Sequence, residues 1–384
     1  MQIPDQPPEK RLDLHASASA EGLSAHPQLD PPVKLDREVK EKLTMSKVTI
    51  IVPIYNVEEY VAKCLDSLLR QTYSDYVIYA VNDGSPKNEQ PIIDRYAAAY
   101  PEKVVAIRKE NGGYGSVLEM AIARLDSEYF LVCDPDDYLA DDALETLVGL
   151  ADANQADLVI GAKNFIYSDS DEQKYDPAYN TKFTALRPGQ GYVKGTPEFE
   201  NLLFVDPSPH AKLYRRSLAA NIQFPHKIGY TDNLLFYISL LNAEKVVYTD
   251  KALAYYLIDR AGNTMTDLKP QVIDAHAQVF STILDQAERC SAVPALFYYR
   301  IFEAYKFSFY QLRRIKGTPA EKLEHAEVLY RLVEKLMPHR AAILEGMTRF
   351  GYTGSRERMK DKLVLTAGVS HPVYRRWVKS FVKE

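Results

Sequence analysis

Four short segments of this 384-residue chain carry residue types able to do chemistry, and each directly follows an apolar run. Pro53, Tyr55, Asn56 and Glu58 follow Val48–Val52. Asn82-Asp83-Gly84-Ser85 follows Tyr76–Val81, and Glu110-Asn111-Gly112-Gly113 follows Val104–Ile107. Asp134-Pro135-Asp136-Asp137 follows Tyr129–Cys133. Carboxylates this close repel one another unless positive charge sits among them. Hard divalent cations such as Mg²⁺ or Mn²⁺ meet that need, typically through one or two carboxylates plus substrate phosphates. Asp134, Asp136 and Asp137 are therefore candidate metal ligands. The alternative is a solvated acidic loop running on to Asp141 and Asp142, where aspartates favour a helix N-terminus.

These segments need a frame. Val48-Thr49-Ile50-Ile51-Val52, ended by Pro53, suits a buried strand. Glu58–Arg70 repeats apolar residues at Tyr60, Val61, Cys64, Leu65, Leu68 and Leu69, one face of a helix. The alternation continues with strands at Tyr76–Val81, Val104–Ile107, Tyr129–Cys133 and Leu158–Ile160. Helices are expected at Gln90–Tyr100, Gly115–Leu125 and Asp141–Ala153. This spacing predicts an α/β domain with a Rossmann-like, mostly parallel sheet. Ligands of such sheets bind outside the carboxyl ends of the strands. All four chemical segments fall there.

Composition bounds the rest. Hydrophobic residues make up 46% and charged residues 26%, ordinary for a globular protein with a sizeable core. A net charge of −5 and a pI near 6.0 argue against a nucleic-acid partner. Cys64, Cys133 and Cys290 are too few for a disulfide framework and form no C-x-x-C pair, which fits a cytoplasmic chain. No apolar run reaches the length of a membrane span, and no secretory signal pattern opens the chain. Residues 1–45, with prolines at 4, 7, 8, 27, 31 and 32 and no periodicity, read as a disordered tail. Residues 168–200 are polar and aperiodic and read as binding or lid loops. From about 270 onward the chain reads as helix and is basic, whereas the first 270 residues are acidic.

The stretches IIVPIYNVEEYVAKCLDSLLRQTYSDYVIYAVNDGS, ENGGYGS and EYFLVCDPDDYL together resemble family 2 glycosyltransferases of the non-processive bacterial type. The resemblance implies an inverting enzyme with the A-type glycosyltransferase fold, strongest over residues 47–165. It implies a catalytic domain at 46–265, with a nucleotide-binding half at 46–165 and an acceptor half at 166–265. A basic helical domain would follow at 266–384. Tyr55 would stack on the nucleotide base, Asp83 would accept from uracil, and Pro53 would line the same pocket with Asn56, Glu58, Gly112, Gly113 and Asp134. The metal, Mn²⁺ or Mg²⁺, would sit on Asp134, Asp136 and Asp137. Pro209 to Arg216 and Gly229 to Asn233 resemble the acceptor-side segment, which makes Asp232 the general base. Taken as bare residues, Tyr55 also suits a core, Asp83 a cap on the Gly84 turn, and Asp232 a cap on a helix over Asn233–Leu241.

Many relatives carry an arginine after the Asn-Gly-Gly segment, and this chain has Val117-Leu118-Glu119 there. Diphosphate charge then falls to the metal and to Lys212, Arg215 or Arg216, with His210 a further candidate for acceptor or phosphate. Gly113-Tyr114-Gly115 lacks the third glycine of a dinucleotide fingerprint, and no phosphate loop or zinc helix motif occurs. Arg376-Trp377 is preceded by Val373 rather than the glutamine of processive synthases, so single-sugar addition is expected. The expected function is transfer from a nucleotide-sugar, a UDP-sugar, to a hydroxyl of a glycan or lipid-linked acceptor. The alternative is a non-catalytic nucleotide-sugar-binding or membrane-docking module. Val373 to Lys383 places Trp377 on the apolar face of a basic helix, which could lie peripherally on the inner face of the plasma membrane or dock on its own domain.

Overall fold

The computed structural model describes residues 46–260, 270–350, 362, 365 and 370–382. The tail expected at 1–45 lies outside the described residues. Strands β1 (Val48–Ile54), β2 (Tyr76–Asp83), β3 (Val104–Lys109) and β4 (Tyr129–Val132) pair in parallel in the order β3-β2-β1-β4. Every residue of β1 and β2 is buried. This is the signature of a parallel strand covered on both faces, and it explains why the apolar runs were continuous rather than alternating. The order reverses at β1: the chain winds outward through β2 and β3, then returns to place β4 on the other side. Such a switch point opens a crevice between the two carboxyl ends.

Helices α1 (Glu58–Leu69), α2 (Glu89–Ala99), α3 (Tyr114–Ala123) and α4 (Ala143–Asn154) cover the sheet. Beyond β4 the sheet becomes mixed. The short β5 (Tyr138–Leu139) and β6 (Leu158–Tyr167) are followed by β7 (Ser170–Asp176) and β8 (Gly191–Val193). After a one-turn helix α5 (Pro197–Glu200) comes β9 (Lys212–Arg215), which runs antiparallel between β4 and β6. The 13-residue β10 (Lys245–Leu257) pairs in parallel with β6 and antiparallel with β5. The region read as loop at 168–200 thus contains two strands. β7 is exposed along nearly its whole length and holds on by backbone pairing to β6, so it offers no apolar periodicity to detect.

Helix α6 (Thr231–Asn242) leads back under the sheet, and α7 (Gln271–Ala287), α8 (Ala295–Gln311), α9 (Pro319–Leu336), α10 (Arg340–Phe350) and α11 (His371–Phe381) form the helical region. Thr318 and Glu321 close a capping box at the start of α9. Of the aromatic stripe on α8, Phe302, Tyr305 and Phe309 are buried, while Tyr298 is half-buried and stacks on His339 at 3.6 Å. No helix among the described residues is long and apolar enough to cross a membrane.

The basic terminal helix does not present its apolar face outward. Trp377 stacks on Phe309 with centroids 4.5 Å apart and planes 2° from parallel. Tyr374 and Val378 are fully buried, and Phe381 packs on Phe309 at 4.6 Å. Most of this face is therefore spent on helix packing, the docked one of the two arrangements the sequence allows, while Val373 stays exposed. Replacing Phe309 by alanine should cost about 3–4 kcal/mol, because it removes a buried ring from beneath Tyr374, Trp377 and Phe381 of α11. Urea unfolding followed by circular dichroism measures this. A change below about 0.5 kcal/mol, as for an exposed side chain, would mean that α11 is not docked there.

Candidate active site

The rim between β1 and β4 gathers the acidic residues. Past β4 the chain turns through Asp134 and Asp137 into β5, whose pairing with β10 brings Leu257 alongside. The Leu257 N–H donates to Asp137 Oδ1 at 2.8 Å, and His210 Nε2 lies 2.7 Å from Asp137 Oδ2. His210 reaches the rim because β9 runs antiparallel to β4, which puts the start of β9 at the carboxyl end of its neighbour. The Tyr114 hydroxyl donates to Asp134 Oδ1 at 2.8 Å. Candidate ligand atoms of Asp134, Asp137 and His210 all lie within 4.8 Å of one another.

Asp136 is not in this group. Its Oδ2 lies 2.8 Å from the Nε of Arg260, which arrives from just beyond the end of β10. The structure thus exchanges Asp136 for His210 in the three-residue cluster expected from sequence, because a distant arginine neutralises the middle aspartate.

Burial, reinforced by the Asp137 and Asp136 charges, pushes the Asp134 carboxyl well above its ordinary range. Burial and then Asp136 do the same to Asp137. Burial, with Lys163 and Lys212 nearby, lowers His210 to about 3, and its Nδ1 has no hydrogen-bond partner among the described residues. Two carboxylates that resist ionising together and an imidazole that resists protonation form a donor set that a divalent cation would relieve. Carboxylate oxygens suit hard ions such as Mg²⁺ or Mn²⁺, and a neutral imidazole adds a nitrogen ligand. The residues fit such an ion.

On the donor side, Tyr55 is 49% exposed and so is not a core residue. Pro53 is buried in register with Val81. Asn56, at φ +55°, donates its N–H to Ser85 Oγ at 2.8 Å, and Glu58 takes a long bond of 3.4 Å from Asn88. The turn is fastened by Glu89, a fully buried carboxylate that sequence reading missed, which accepts from Val57 N–H at 2.7 Å. Asp83 does not cap the Gly84 turn; the Asn82 side chain does so, accepting from Ser85 N–H. Asp83 accepts instead from Lys109 Nζ at 2.6 Å, Gly112 N–H at 3.0 Å and Gly113 N–H at 2.8 Å. It ties the end of β2 to the glycine loop.

That loop in turn touches the acceptor side. The Lys227 N–H donates to Gly112 O at 2.6 Å. Gly113 sits at φ +82°, and a Cβ there would lie 2.8 Å from the Lys227 nitrogen. Only glycine meets both demands. A few residues on, Asp232 occupies the first turn of α6. It is not the cap: Tyr230 holds that position at φ +66°, without a side-chain capping bond. Burial raises the Asp232 carboxyl to about 6, against the opposing hydrogen bond from Asn233. Its charge acts on Asp134, Tyr114 and Lys212, so it lies near them.

Below the rim lies a network that the sequence did not announce. Lys163 and Lys212 are both fully buried. Lys163 pairs with Asp206 and donates to Ser208 Oγ at 3.2 Å, while Lys212 donates to Ser208 O at 2.6 Å. Burial lowers Lys212 to about 7 despite the Asp206 charge. Burial alone would raise Asp206, but Lys163 and Lys212 hold it well below the usual carboxylate range.

Arg215 and Arg216 are remote from the rim. Arg215 pairs in register with Tyr129 at the opposite end of the sheet and binds Glu128 and Asp157, and Arg216 bonds the Leu125 carbonyl. Both therefore drop out as diphosphate contacts. Glu119, in the segment that follows the Gly112–Gly113 loop, pairs with His226 at 2.7 Å.

Comparison with known proteins bears on this arrangement directly. Residues 49–222 match glycosyl transferase family 2. The span holds β1 to β4, the acidic segment and His210–Lys212. Residues 49–222 are a glycosyl transferase family 2 domain. The chain is 33% identical over 238 residues to the glycosyltransferase EpsJ of Bacillus subtilis, covering 60% of this chain and 66% of EpsJ. It is 30% identical over 222 residues to the glycosyltransferase GlyA of Streptococcus pneumoniae, covering 56% of this chain but only 31% of GlyA. It therefore spans from about a third to two thirds of these relatives' length. Residues 1–349 of TarS from S. aureus, solved with UDP-GlcNAc, superpose with a TM-score of 0.64 at 18% identity, covering 88% of this chain and 91% of that one. That likeness shows the fold, with its mostly parallel sheet and helical C-terminal region.

In this family 2 domain, Asp206 is the counter-charge for two lysines that water cannot reach. Asp206→Asn should destabilise the fold by about 3 kcal/mol, since it leaves the Lys163 ammonium buried without its carboxylate and removes the main counter-charge of Lys212. Denaturant titration at neutral pH measures the loss. An unchanged midpoint would show that the lysines shed their protons at no cost.

Proposed function

We propose that the chain transfers one sugar from a UDP-sugar, with inversion and dependence on a divalent metal, to a hydroxyl of a glycan or lipid-linked saccharide. Residues 46–265 would form the catalytic unit, with the helices that follow braced against it. The observation that carries the reading is Asp232. It is a carboxylate raised to about 6 whose charge reaches Asp134 of the Asp134–Asp137–His210 cluster. Complexes of TarS with UDP-GlcNAc and UDP support the uridine donor.

The exposed ring of Tyr55 offers a face for the base. Asp83 has three of its roughly four acceptor sites occupied, and the remaining one would take the uracil N–H. Asn56 and Glu58, beside Tyr55, and the Gly112–Gly113 backbone would line the pocket between base and diphosphate. Asp134, Asp137 and His210 would hold Mn²⁺ or Mg²⁺, which supplies Lewis-acid neutralisation of the diphosphate. Lys212 lies below the rim, held by the Ser208 carbonyl, and adds positive charge when protonated. Asp232 takes the acceptor hydroxyl proton as the oxygen attacks the anomeric carbon. The new carbon–oxygen bond forms on the face opposite the breaking bond to phosphate, and UDP departs with that electron pair.

A base with this pKa is active only when deprotonated. The rate should therefore rise with pH through a limb near 6 and level off above it, as read in kcat/KM for UDP-sugar turnover. Asp232→Asn should remove that limb and lower turnover by about 10³-fold, within the range of general-base catalysis. UDP affinity should stay within about twofold. If the variant loses UDP binding instead, Asp232 belongs to the donor pocket and the assignment as base falls.

A further inference from the structure

The departing UDP carries more negative charge than one divalent ion offsets, and Val117-Leu118-Glu119 after the Gly112–Gly113 loop supplies no arginine. The described basic residues near the rim are mostly committed. Lys109 is held by Asp83, Lys163 by Asp206, and Lys212 by the Ser208 carbonyl. Arg215 and Arg216 are fixed at the far end of the sheet. Arg260 differs. It is joined to Asp136 through charge alone: Nε lies 2.8 Å from Oδ2, yet it makes no aligned hydrogen bond among the described residues. Its guanidinium lies 5.5 Å from the centre of the Tyr60 ring, on the helix that follows the Tyr55 turn. Its side chain is 20% exposed, so a ligand in the crevice can reach it.

We infer that Arg260 is an exchangeable cation. It neutralises Asp136 while the site holds no metal, and it passes to the donor diphosphate once a divalent ion binds beside it. The inference rests on the function proposed above and adds a residue to it. Electrostatics gives the direction. Asp134, Asp136 and Asp137 stand within four residues of one another after β4, so the three carboxylates form one acidic field. A guanidinium and a divalent cation both draw on that field and repel each other at close range. Metal entry therefore weakens the hold on Arg260, while an arriving diphosphate offers it a planar, bidentate partner better matched than a lone carboxylate oxygen. Arg260 would thus oppose metal binding in the empty site and assist it once a nucleotide diphosphate is present.

The test is a pair of binding titrations on the full chain, with Arg260→Gln compared to wild type by calorimetry. Without nucleotide, the variant should bind Mn²⁺ about tenfold more tightly, because a competing cation is gone. With saturating Mn²⁺, it should bind UDP about tenfold or more weakly, while uridine affinity is unchanged. Arg260→Lys keeps the charge without the fork, so its UDP affinity should fall between the two, and melting curves confirm that both variants fold. Equal Mn²⁺ affinity, or unchanged UDP affinity, would overturn the inference and leave Arg260 as a static clasp on Asp136. A wild-type chain that binds neither Mn²⁺ nor UDP would overturn the proposed function, and this inference with it.

Discussion

Like charges cannot share a dry space without a counter-charge, and this protein buries Asp137 and half-buries Asp134 side by side at the end of one strand. Much of the surrounding structure answers that constraint. Tyr114 donates a hydroxyl, Leu257 donates a backbone N–H, His210 closes on Asp137, and Arg260 neutralises Asp136. Lys163 and Lys212 add positive charge from within the fold, balanced by Asp206.

The fold meets this need by converging elements from distant parts of the chain. The reversal of strand order at β1 opens the crevice. The antiparallel insertion of β9 carries His210 to the same rim as Asp134, and the long β10 delivers Leu257 and Arg260. The Gly112–Gly113 loop locks onto Lys227, so the segment that would hold the donor is in direct contact with the turn that leads to Asp232. Such contact keeps reacting groups in fixed register, which is where much of an enzyme's advantage over solution arises.

Much of this was legible in the sequence for a simple reason. Strands buried on both faces must be continuously apolar, so β1 to β4 and their carboxyl ends stood out, and the acidic segment after β4 stood out with them. What could not be read were partnerships between residues far apart. Nothing local to Asp136 announces Arg260, and nothing local to Asp83 says that its carboxylate will be taken up by Lys109 and two glycine N–H groups. Nothing local to Glu89, just before the helix expected at Gln90, announces its burial or its bond from the Val57 N–H. The polar strand β7 was invisible because its stability comes from backbone pairing rather than from a buried face. The terminal helix illustrates the converse. Its amphipathic pattern was correct, but a pattern cannot say whether the apolar face meets lipid or Phe309.

The account depends on a nucleotide diphosphate and a divalent ion occupying this rim together. Thermal unfolding with UDP, in the presence and absence of Mn²⁺, tests this most directly. At about 100 times its Kd, UDP with Mn²⁺ should add about 2.7 kcal/mol of stability and raise Tm visibly. UDP without the ion should give a much smaller shift. An equal shift with and without Mn²⁺ would remove the metal from the account, and no shift from UDP under either condition would contradict the account as a whole.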